Sequence, residues 1–304
     1  MLFDTHAHLN FKAFSDDWPE VIKRAKERDI GIIIPSTDLA TSRKACEIAE
    51  KYERGVYAAV GLHPIHVYKE PLVIEEYKKL AQHPKVVAIG EVGLDDFHVY
   101  PDHSETEGKA LQRQVLKEFI TLAQELCLPL ILHCRPAKDA PKGQENTYDE
   151  LVREIENLFA CHSEPPAGGE ESLKRTLRDS SAASLLQNDI GDVATLRGVV
   201  HCFLGTFAQA QKFFNLGFMV SFGGVIIYPW FATEVVRQCP LDKIMIDTDS
   251  PYLSPEPHRK TRNEPVNVEI IAQKIAEIKN IEYTEVEKAT TNNALKLFSK
   301  IANP

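Results

Sequence analysis

The sequence has no excess of positive charge and no long apolar run. Its formal net charge is −9, so binding to a phosphate backbone would need a local basic patch or a metal ion. No stretch approaches the roughly 18 apolar residues of a membrane helix, and the N-terminal residues do not have the pattern of a signal peptide. We therefore expect a cytoplasmic protein with no membrane partner.

The sequence also lacks paired cysteines and a glycine-rich phosphate loop. None of its cysteines has the close spacing of a thiolate zinc site, and several lie in apolar runs, where a free thiol behaves as a small buried hydrophobe. We predict reduced thiols rather than disulfide bonds. The missing glycine-rich loop after the first apolar run argues against a nucleotide-binding fold. The six cysteines are at positions 46, 127, 134, 161, 202 and 239.

Short apolar runs alternate with amphipathic helical segments along the whole chain. Runs of this length and composition are typical of buried parallel strands. Eight repeats of strand and helix predict an α/β protein with a (β/α)₈ TIM barrel over residues 1–304 rather than an open doubly wound sheet. The predicted strands are Leu2–His6, Gly31–Ser36, Val56–His63, Val86–Leu94, Pro129–Cys134, Gly198–Phe203, Phe218–Gly223 and Lys243–Asp247.

One segment departs from this alternation. Residues Phe159 to Leu196 are polar and rich in Pro, Gly and Ser, and the segment is longer than ordinary connections in such folds. We interpret it as a flexible insertion after a helix over Tyr148–Leu158. The chain is predicted to finish with two helices, the second capped by Thr284. The other predicted helices are Asp17–Arg28, Thr41–Tyr52, Ile74–His83, Gln112–Leu126, Phe207–Leu216, Ala232–Cys239 and Val268–Lys279.

Histidines occur where several of the predicted strands end. His6 and His8 are two residues apart, so strand alternation would put both on one face, roughly 7 Å apart at the backbone. His133 and His201 each end another predicted strand. Either of these two alone could be a hydrogen-bonded core histidine. All four together, at the strand ends where barrel enzymes carry their active sites, predict a metal site.

Carboxylates follow the same pattern. Glu91 comes after four apolar residues, and a buried unpaired carboxylate there would be costly. A metal cation would compensate its charge, and a salt bridge to a buried Arg or Lys is the alternative. Of Asp247 and Asp249, the second is nearer the rim and is the predicted ligand. We expect Asp95 to be structural or to hold a ligand imidazole in its tautomer.

The ligand types leave the metal open and favour hydrolytic chemistry. Imidazole and carboxylate without thiolate suit Zn, Mn, Co or Mg. The two oxygens of Glu91 allow it to bridge two cations. Two neighbouring metals suit the hydrolysis of a phosphodiester, because they activate water and spread the charge on the phosphoryl oxygens.

These residues resemble a known family, the TatD-type metal-dependent deoxyribonucleases of the amidohydrolase superfamily. The resemblance covers nearly the whole chain in the family's order. It implies a barrel with two divalent metal ions (Mg, Mn or Zn) that hydrolyses DNA, often as a 3′-to-5′ exonuclease. The motifs are Asp4-Thr-His-Ala-His-Leu9, Gly61-Leu-His-Pro64, Gly90-Glu-Val-Gly-Leu-Asp95, Leu132-His-Cys-Arg135, Val200-His-Cys-Phe203, Asp247-Thr-Asp-Ser-Pro251, Arg262-Asn-Glu-Pro265 and the late Asn292-Asn293-Ala294 with Leu297-Phe298.

The resemblance also implies roles for single residues. Glu91 corresponds to the bridging carboxylate, and Asp249 also corresponds to the group that handles the proton of the attacking water. His63 corresponds to a catalytic pocket residue that meets the scissile phosphate, with a capping histidine before Pro64 as the alternative. Arg135 and Arg262 are candidate phosphate contacts, with surface ion pairing as the alternative. The implied metal ligands are His6, His8, Glu91, His133, His201 and Asp249.

Two positions depart from the family pattern. Pro136 and Asp96 stand where an acidic and an aromatic residue are usual, which puts the substrate preference, set by rim loops, in question. We expect DNA ends as the substrate, a monomer, and no obligate protein partner, with a basic cluster at His258-Arg259-Lys260-Thr261-Arg262 attracting the phosphates. The alternatives are hydrolysis of a small-molecule ester or amide at the same site and a non-catalytic scaffold. Glu91 favours the phosphodiesterase over the small-molecule hydrolase, because amide- and ester-cleaving relatives often have a carboxylated lysine at the fourth strand.

Overall fold

Eight parallel strands form one sheet in the computed structural model, which describes residues 1–98, 104–140, 145–161 and 196–301. Each strand pairs with the next one along the chain, in the order β1 to β8. The ends of the sheet approach each other where Thr5 N–H donates to the carbonyl of Ile246 at 3.1 Å. The strands are β1 Leu2–Asp4, β2 Ile30–Ile34, β3 Val56–Val60, β4 Val86–Asp95, β5 Leu130–Arg135, β6 Gly198–Val200, β7 Phe218–Phe222 and β8 Ile244–Ile246.

Helices connect the strands on the outside of this sheet, and the predicted (β/α)₈ barrel is confirmed. Most of the strand residues are completely buried, as the apolar runs predicted. Among the described residues, no helix is both long and apolar enough to cross a membrane. The α-helices are α1 Trp18–Glu27, α2 Leu39–Glu50, α3 Ile74–Ala81, α4 Glu105–Glu125, α5 Thr147–Cys161, α6 Phe207–Asn215, α7 Glu234–Gln238, α8 Val268–Lys279 and α9 Tyr283–Leu297.

Several helix starts differ from the prediction, most of them by one or two residues. Helix α4 begins at Glu105 rather than at Gln112, because Ser104 and Glu107 form a capping box at the start of two polar turns that carry little apolar periodicity. The prediction that Thr284 caps the last helix is wrong, because α9 begins at Tyr283 and Glu282 is its N-cap. The predicted insertion from 159 to 196 falls almost wholly outside the described residues, and it stays a prediction.

The last helix closes one end of the barrel. Leu297 and Phe298 of the α9 region pack against inward-facing apolar residues such as Phe3 and Ile33. Phe3 and Ile33 come before the polar residues of their own strand ends, such as His6 and Ser36. The barrel interior is therefore apolar at one end and carries polar side chains at the other, the end where the strands finish and where barrel enzymes have their active sites.

Candidate metal centre

The residues predicted as metal ligands meet at the carboxyl ends of the strands. Within each of three groups, the potential ligand atoms lie within 4.8 Å of one another. The groups share members, so together they form one continuous cluster. The three groups are His6, His8 and Asp249; His6, Glu91 and His201; and His63, Glu91 and His133.

His6 and His8 reach this cluster from a different backbone position than predicted. The sequence placed both on the first strand, but β1 ends at Asp4, and only Ala7 makes an isolated bridge, to Ser250. The chain here makes isolated bonds on both sides: the N–H of Ala7 donates to the carbonyl of Ile33 in β2 at 3.1 Å, and the N–H of His8 donates to the carbonyl of Ser250 at 2.7 Å. The two imidazoles still converge, with their Nε2 atoms 3.1 Å apart.

Glu91 lies at the middle of the cluster, and one of its oxygens faces the first pair of histidines. Its side chain is only 3% exposed, and Oε2 is 3.3 Å from Nε2 of His6 and 3.5 Å from Nε2 of His8. Neither contact involves a lysine or an arginine. The salt bridge to a basic residue, considered from the sequence, is therefore not what the described residues form around Glu91.

The other oxygen of Glu91 faces a different set of histidines. Oε1 is 2.7 Å from Nε2 of His201, 2.8 Å from Nδ1 of His133 and 3.4 Å from Nε2 of His63. One carboxylate thus presents each of its two oxygens to a separate group of imidazoles. This is the arrangement that a carboxylate bridging two cations requires.

Asp249 contributes the second carboxylate, from the loop after β8. Its Oδ1 is 3.6 Å from Nε2 of His8 and 3.9 Å from Nε2 of His6, and its side chain is 16% exposed. Asp247 is engaged elsewhere, since it accepts hydrogen bonds from the hydroxyl of Ser221 and, at 3.1 Å, from the N–H of Cys202. The carboxylate nearer the rim is therefore the one that faces the histidines.

Asp95 fixes the orientation of His133. Its Oδ2 lies 3.0 Å from Nε2 of His133, and its Oδ1 accepts backbone N–H bonds from Phe97 and His98 at 2.9 Å. A carboxylate at Nε2 keeps the proton on that nitrogen, so the lone pair of Nδ1 is directed at Glu91. Burial opposes a charge on His133, but its hydrogen bonds to Asp95 and Glu91 outweigh burial and raise its pKa to about 9.

His63 has the opposite arrangement, because its Nδ1 is an acceptor. The backbone N–H of Ile65 donates to Nδ1 at 3.1 Å. Burial, followed by the neighbouring His133, lowers the pKa of His63 to about 4, so the ring is neutral near pH 7. A neutral ring with an accepting Nδ1 has its proton on Nε2. The atom of His63 that faces Glu91 is then a hydrogen-bond donor and has no lone pair for a metal.

The remaining donors fit a divalent cation. The Nε2 atoms of His6, His8 and His201 converge on the two oxygens of the buried Glu91. Burial, then His201, lowers the pKa of His6 to about 4, so this ligand is neutral and ready to bind. Burial would raise the pKa of Glu91, but the surrounding histidines hold it well below its usual value. Buried imidazoles around the ionised carboxylate of Glu91 are a ligand set for Zn²⁺, Mn²⁺ or similar ions.

The contacts that the structure describes for Arg135 and Arg262 do not include the histidines and carboxylates of this cluster. Arg262 donates to both carboxylate oxygens of Asp17, at 2.8 and 2.6 Å, and to Glu264 at 3.1 Å. Arg262 thus forms the ion pair considered as its alternative. The exposed Arg135 lies with its guanidinium 3.9 Å from the ring centroid of Phe97.

Two contributors to the site were not identified from the sequence. Phe11 stacks on the ligand candidate His8, with ring centroids 4.2 Å apart and an angle of 13° between the planes. Asp4 accepts hydrogen bonds from the N–H of His6 at 3.2 Å and from the N–H of Thr248 at 2.9 Å. Asp4 could have been identified from the sequence, because it is a carboxylate directly after an apolar run, the same pattern that pointed to Glu91.

The comparison with known proteins decides the family. A family model described as TatD related DNase matches residues 3–299. The chain belongs to the TatD-related DNase family. It is 34% identical to the uncharacterized metal-dependent hydrolase YabD of Bacillus subtilis, over 98% of this chain and 99% of that protein. It is 29% identical to the putative deoxyribonuclease TATDN3 of Mus musculus, over 99% of this chain and 89% of that protein.

Solved structures of the TatD family agree with the fold. The crystal structure of YjjV, a TatD homologue from Escherichia coli, has a TM-score of 0.76 and 26% identity, with 98% of each chain covered. The hydrolase TatD family protein from Entamoeba histolytica has a TM-score of 0.73 and 23% identity over 97% of each chain, which supports the fold alone. The chain is a metal-dependent hydrolase of the TatD family with a binuclear type of histidine and carboxylate site.

Proposed function

We propose that the protein is a divalent-metal-dependent deoxyribonuclease that removes nucleotides from DNA ends in the 3′-to-5′ direction. The observation that carries the proposal is Glu91, whose Oε2 faces His6 and His8 and whose Oε1 faces His133 and His201. A bridging carboxylate of this kind suits two cations, and two cations suit a phosphodiester. The family and its putative deoxyribonuclease in mouse support the same substrate.

The residues of the chain have separate tasks in this reaction. His6, His8 and Asp249 would hold one cation, His133 and His201 the other, and Glu91 both. Bound divalent cations of this kind lower the pKa of water and neutralise charge on phosphoryl oxygens.

Asp249 and His63 handle the proton and the phosphate. Burial raises the pKa of Asp249 to about 7, so this carboxylate can take up the proton of the attacking water near neutral pH. His63 presents Nε2–H to the same space and donates a hydrogen bond to a phosphoryl oxygen.

A nuclease assay with end-labelled single-stranded and duplex DNA tests the proposal. We expect stepwise loss of nucleotides from the 3′ end with Mn²⁺ or Mg²⁺. Glu91→Gln and His201→Ala should abolish cleavage, whereas Glu76→Gln, a matched change of an acid on helix α3, should not. Identical preparation of the three variants controls for a contaminating nuclease. Hydrolysis of aryl esters without any cleavage of DNA would contradict the proposal and favour a small-molecule substrate.

A further inference from the structure

Two exposed aromatic side chains lie in the loops that follow β7 and β8. Trp230 is 63% exposed and Tyr252 is 54% exposed, the highest values for large hydrophobic side chains among the described residues. Both loops leave the barrel at the carboxyl ends of its strands, the end that carries the metal centre. Exposed rings beside a catalytic centre are available to a substrate at no cost in buried packing.

The indole of Trp230 is supported but not covered by its neighbours. The ring of Tyr228 lies 5.9 Å away at 56° to it, and the ring of Phe231 lies 6.5 Å away at 63°. Neighbours at these angles meet the indole obliquely and do not stack on it. A flat ligand can therefore stack on Trp230 without displacing a protein side chain.

A positive charge accompanies these rings. The guanidinium of Arg259 lies 4.3 Å from the ring centroid of Tyr228. No carboxylate within the described parts of the chain forms an ion pair with Arg259, in contrast to Arg262, which contacts Asp17 and Glu264. An arginine stacked on a ring and without an acidic partner keeps its N–H donors for a phosphate.

The aromatic and basic residues are tied to the loop that carries Asp249. The hydroxyl of Tyr228 donates to the carbonyl of Ser254 at 2.9 Å, and the N–H of Tyr252 donates to the carbonyl of Asp249 at 2.8 Å. The ring of Tyr252 lies 6.4 Å from Phe11, which stacks on His8. The segments that carry the exposed rings are thus linked to the loop of Asp249.

We propose that Trp230, Tyr252 and Arg259, here called the rim cluster, bind an unpaired nucleotide of the substrate strand next to the metal centre. The base stacks on the aromatic faces, and Arg259 binds the adjoining phosphate. An unpaired nucleotide offers both a free flat face and a neighbouring anion, whereas a duplex covers its base faces. The unpaired guanidinium also offsets, locally, the net charge of −9 that repels DNA elsewhere. The proposal rests on the nuclease function and adds the residues that hold the strand.

Tryptophan fluorescence tests the stacking directly, because the chain has only two tryptophans, Trp18 and Trp230. The probe is a short oligothymidylate with phosphorothioate linkages, which resists hydrolysis, added to the Mg²⁺-loaded protein. We expect saturable quenching in the wild type and in Trp18→Phe, and none in Trp230→Phe. A blunt duplex of the same length should not quench. Trp230 is exposed, so its replacement leaves folding intact, and the melting temperature of each variant verifies this.

The contribution of charge and stacking to affinity is measured with the same probe. Tyr252→Ala and Arg259→Ala should each weaken binding by roughly tenfold, and Tyr252→Phe should restore it. Arg259→Ala should also flatten the dependence of affinity on salt. The matched control Arg43→Ala, on helix α2, should change neither quantity.

The outcomes separate the rim cluster from the nuclease proposal. Absence of quenching in Trp18→Phe, or equal quenching by the blunt duplex, would overturn the rim cluster even if the protein degrades DNA. Saturable quenching through Trp230 together with no cleavage under any metal condition would leave the rim cluster standing and refute the nuclease activity.

Discussion

The carboxylate of Asp4 is hydrogen-bonded to Thr248, 244 residues later in the chain, through both its oxygens. Oδ1 accepts the backbone N–H of Thr248 at 2.9 Å, and Oδ2 accepts the hydroxyl at 2.5 Å. Asp4 also accepts the N–H of His6. It therefore joins the segment that carries His6 and His8 to the segment that carries Asp249. These three residues are the candidate ligands of one cation, and Asp4 sets the spacing between their backbones.

Replacing Asp4 with Asn tests this link. The amide nitrogen of Asn would face N–H and O–H donors, so at least one of the hydrogen bonds is lost, and we expect affinity for one of the two Mn²⁺ ions to fall by about tenfold. Isothermal titration calorimetry on the metal-free protein measures it. Asp149→Asn is the matched control, because Asp149 is a buried acid bound to Lys212 and Gln209. A normal affinity in Asp4→Asn would show that Asp4 does not position the ligands.

Removal of the metal should lower the thermal stability of the protein. The centre packs ionised Glu91 and several imidazoles into a buried space, and a ligand that binds only the folded state at about 100 times its Kd adds roughly 2.7 kcal/mol. We expect a lower melting temperature after chelation and full recovery with Mn²⁺ or Zn²⁺. The melting temperature of Glu91→Gln should respond much less to either treatment. An equal response in this variant would place the stabilising ion elsewhere.

The order of the strands could be predicted from the sequence, whereas the contacts of several site residues could not. Buried parallel strands are continuous apolar runs, so each was visible without knowledge of its partner. The ends of the strands were less well defined, because the residues after β1 make single bonds to β2, to β8 and to the segment after β8 rather than a regular ladder. The ion pair of Arg262 could not be foreseen either, and this residue was a candidate phosphate contact. Its partner Asp17 lies 245 residues away, and sequence spacing carries no information about such a pair.

The cysteines provide a test of the fold that is independent of the site. Burial raises the pKa of both Cys46 and Cys239 to about 12, with a smaller contribution from Glu50 at Cys46. Thiolate is the reactive form, so these thiols should resist alkylation at pH 8, while the exposed Cys127 should react. Peptide mapping by mass spectrometry after iodoacetamide treatment locates the modified positions. In denaturant all three should be alkylated, and rapid labelling of Cys46 in the native protein would contradict the packing of α2.

Asp95→Asn should weaken the second cation through the tautomer of His133. Asp95 accepts a hydrogen bond from Nε2–H of His133 and so keeps the lone pair of Nδ1 toward Glu91. An asparagine can present its NH₂ group instead, which stabilises the other tautomer and puts a proton on the ligating atom. We expect a 10- to 100-fold loss of metal affinity at one site, in the usual range for such partners. Histidine nitrogen shifts measured by NMR report the tautomer, and an unchanged Nδ1 would argue against this role.

His63 gives the sharpest distinction between a ligand and a hydrogen-bond donor. Its Nε2 atom lies as near to Oε1 of Glu91 as the Nε2 atoms of the ligand candidates lie to the carboxylate. The hydrogen bond from the N–H of Ile65 to Nδ1, however, leaves a proton on Nε2. His63→Gln keeps a donor of similar reach, and His63→Ala removes it. We expect both variants to bind two metal ions per chain, measured by elemental analysis, with kcat reduced by about 100-fold in His63→Ala and less in His63→Gln. His201→Ala, which removes a ligand, should lose metal as well as activity. Loss of one metal equivalent in His63→Ala would instead make His63 a ligand and its Nδ1 the protonated nitrogen.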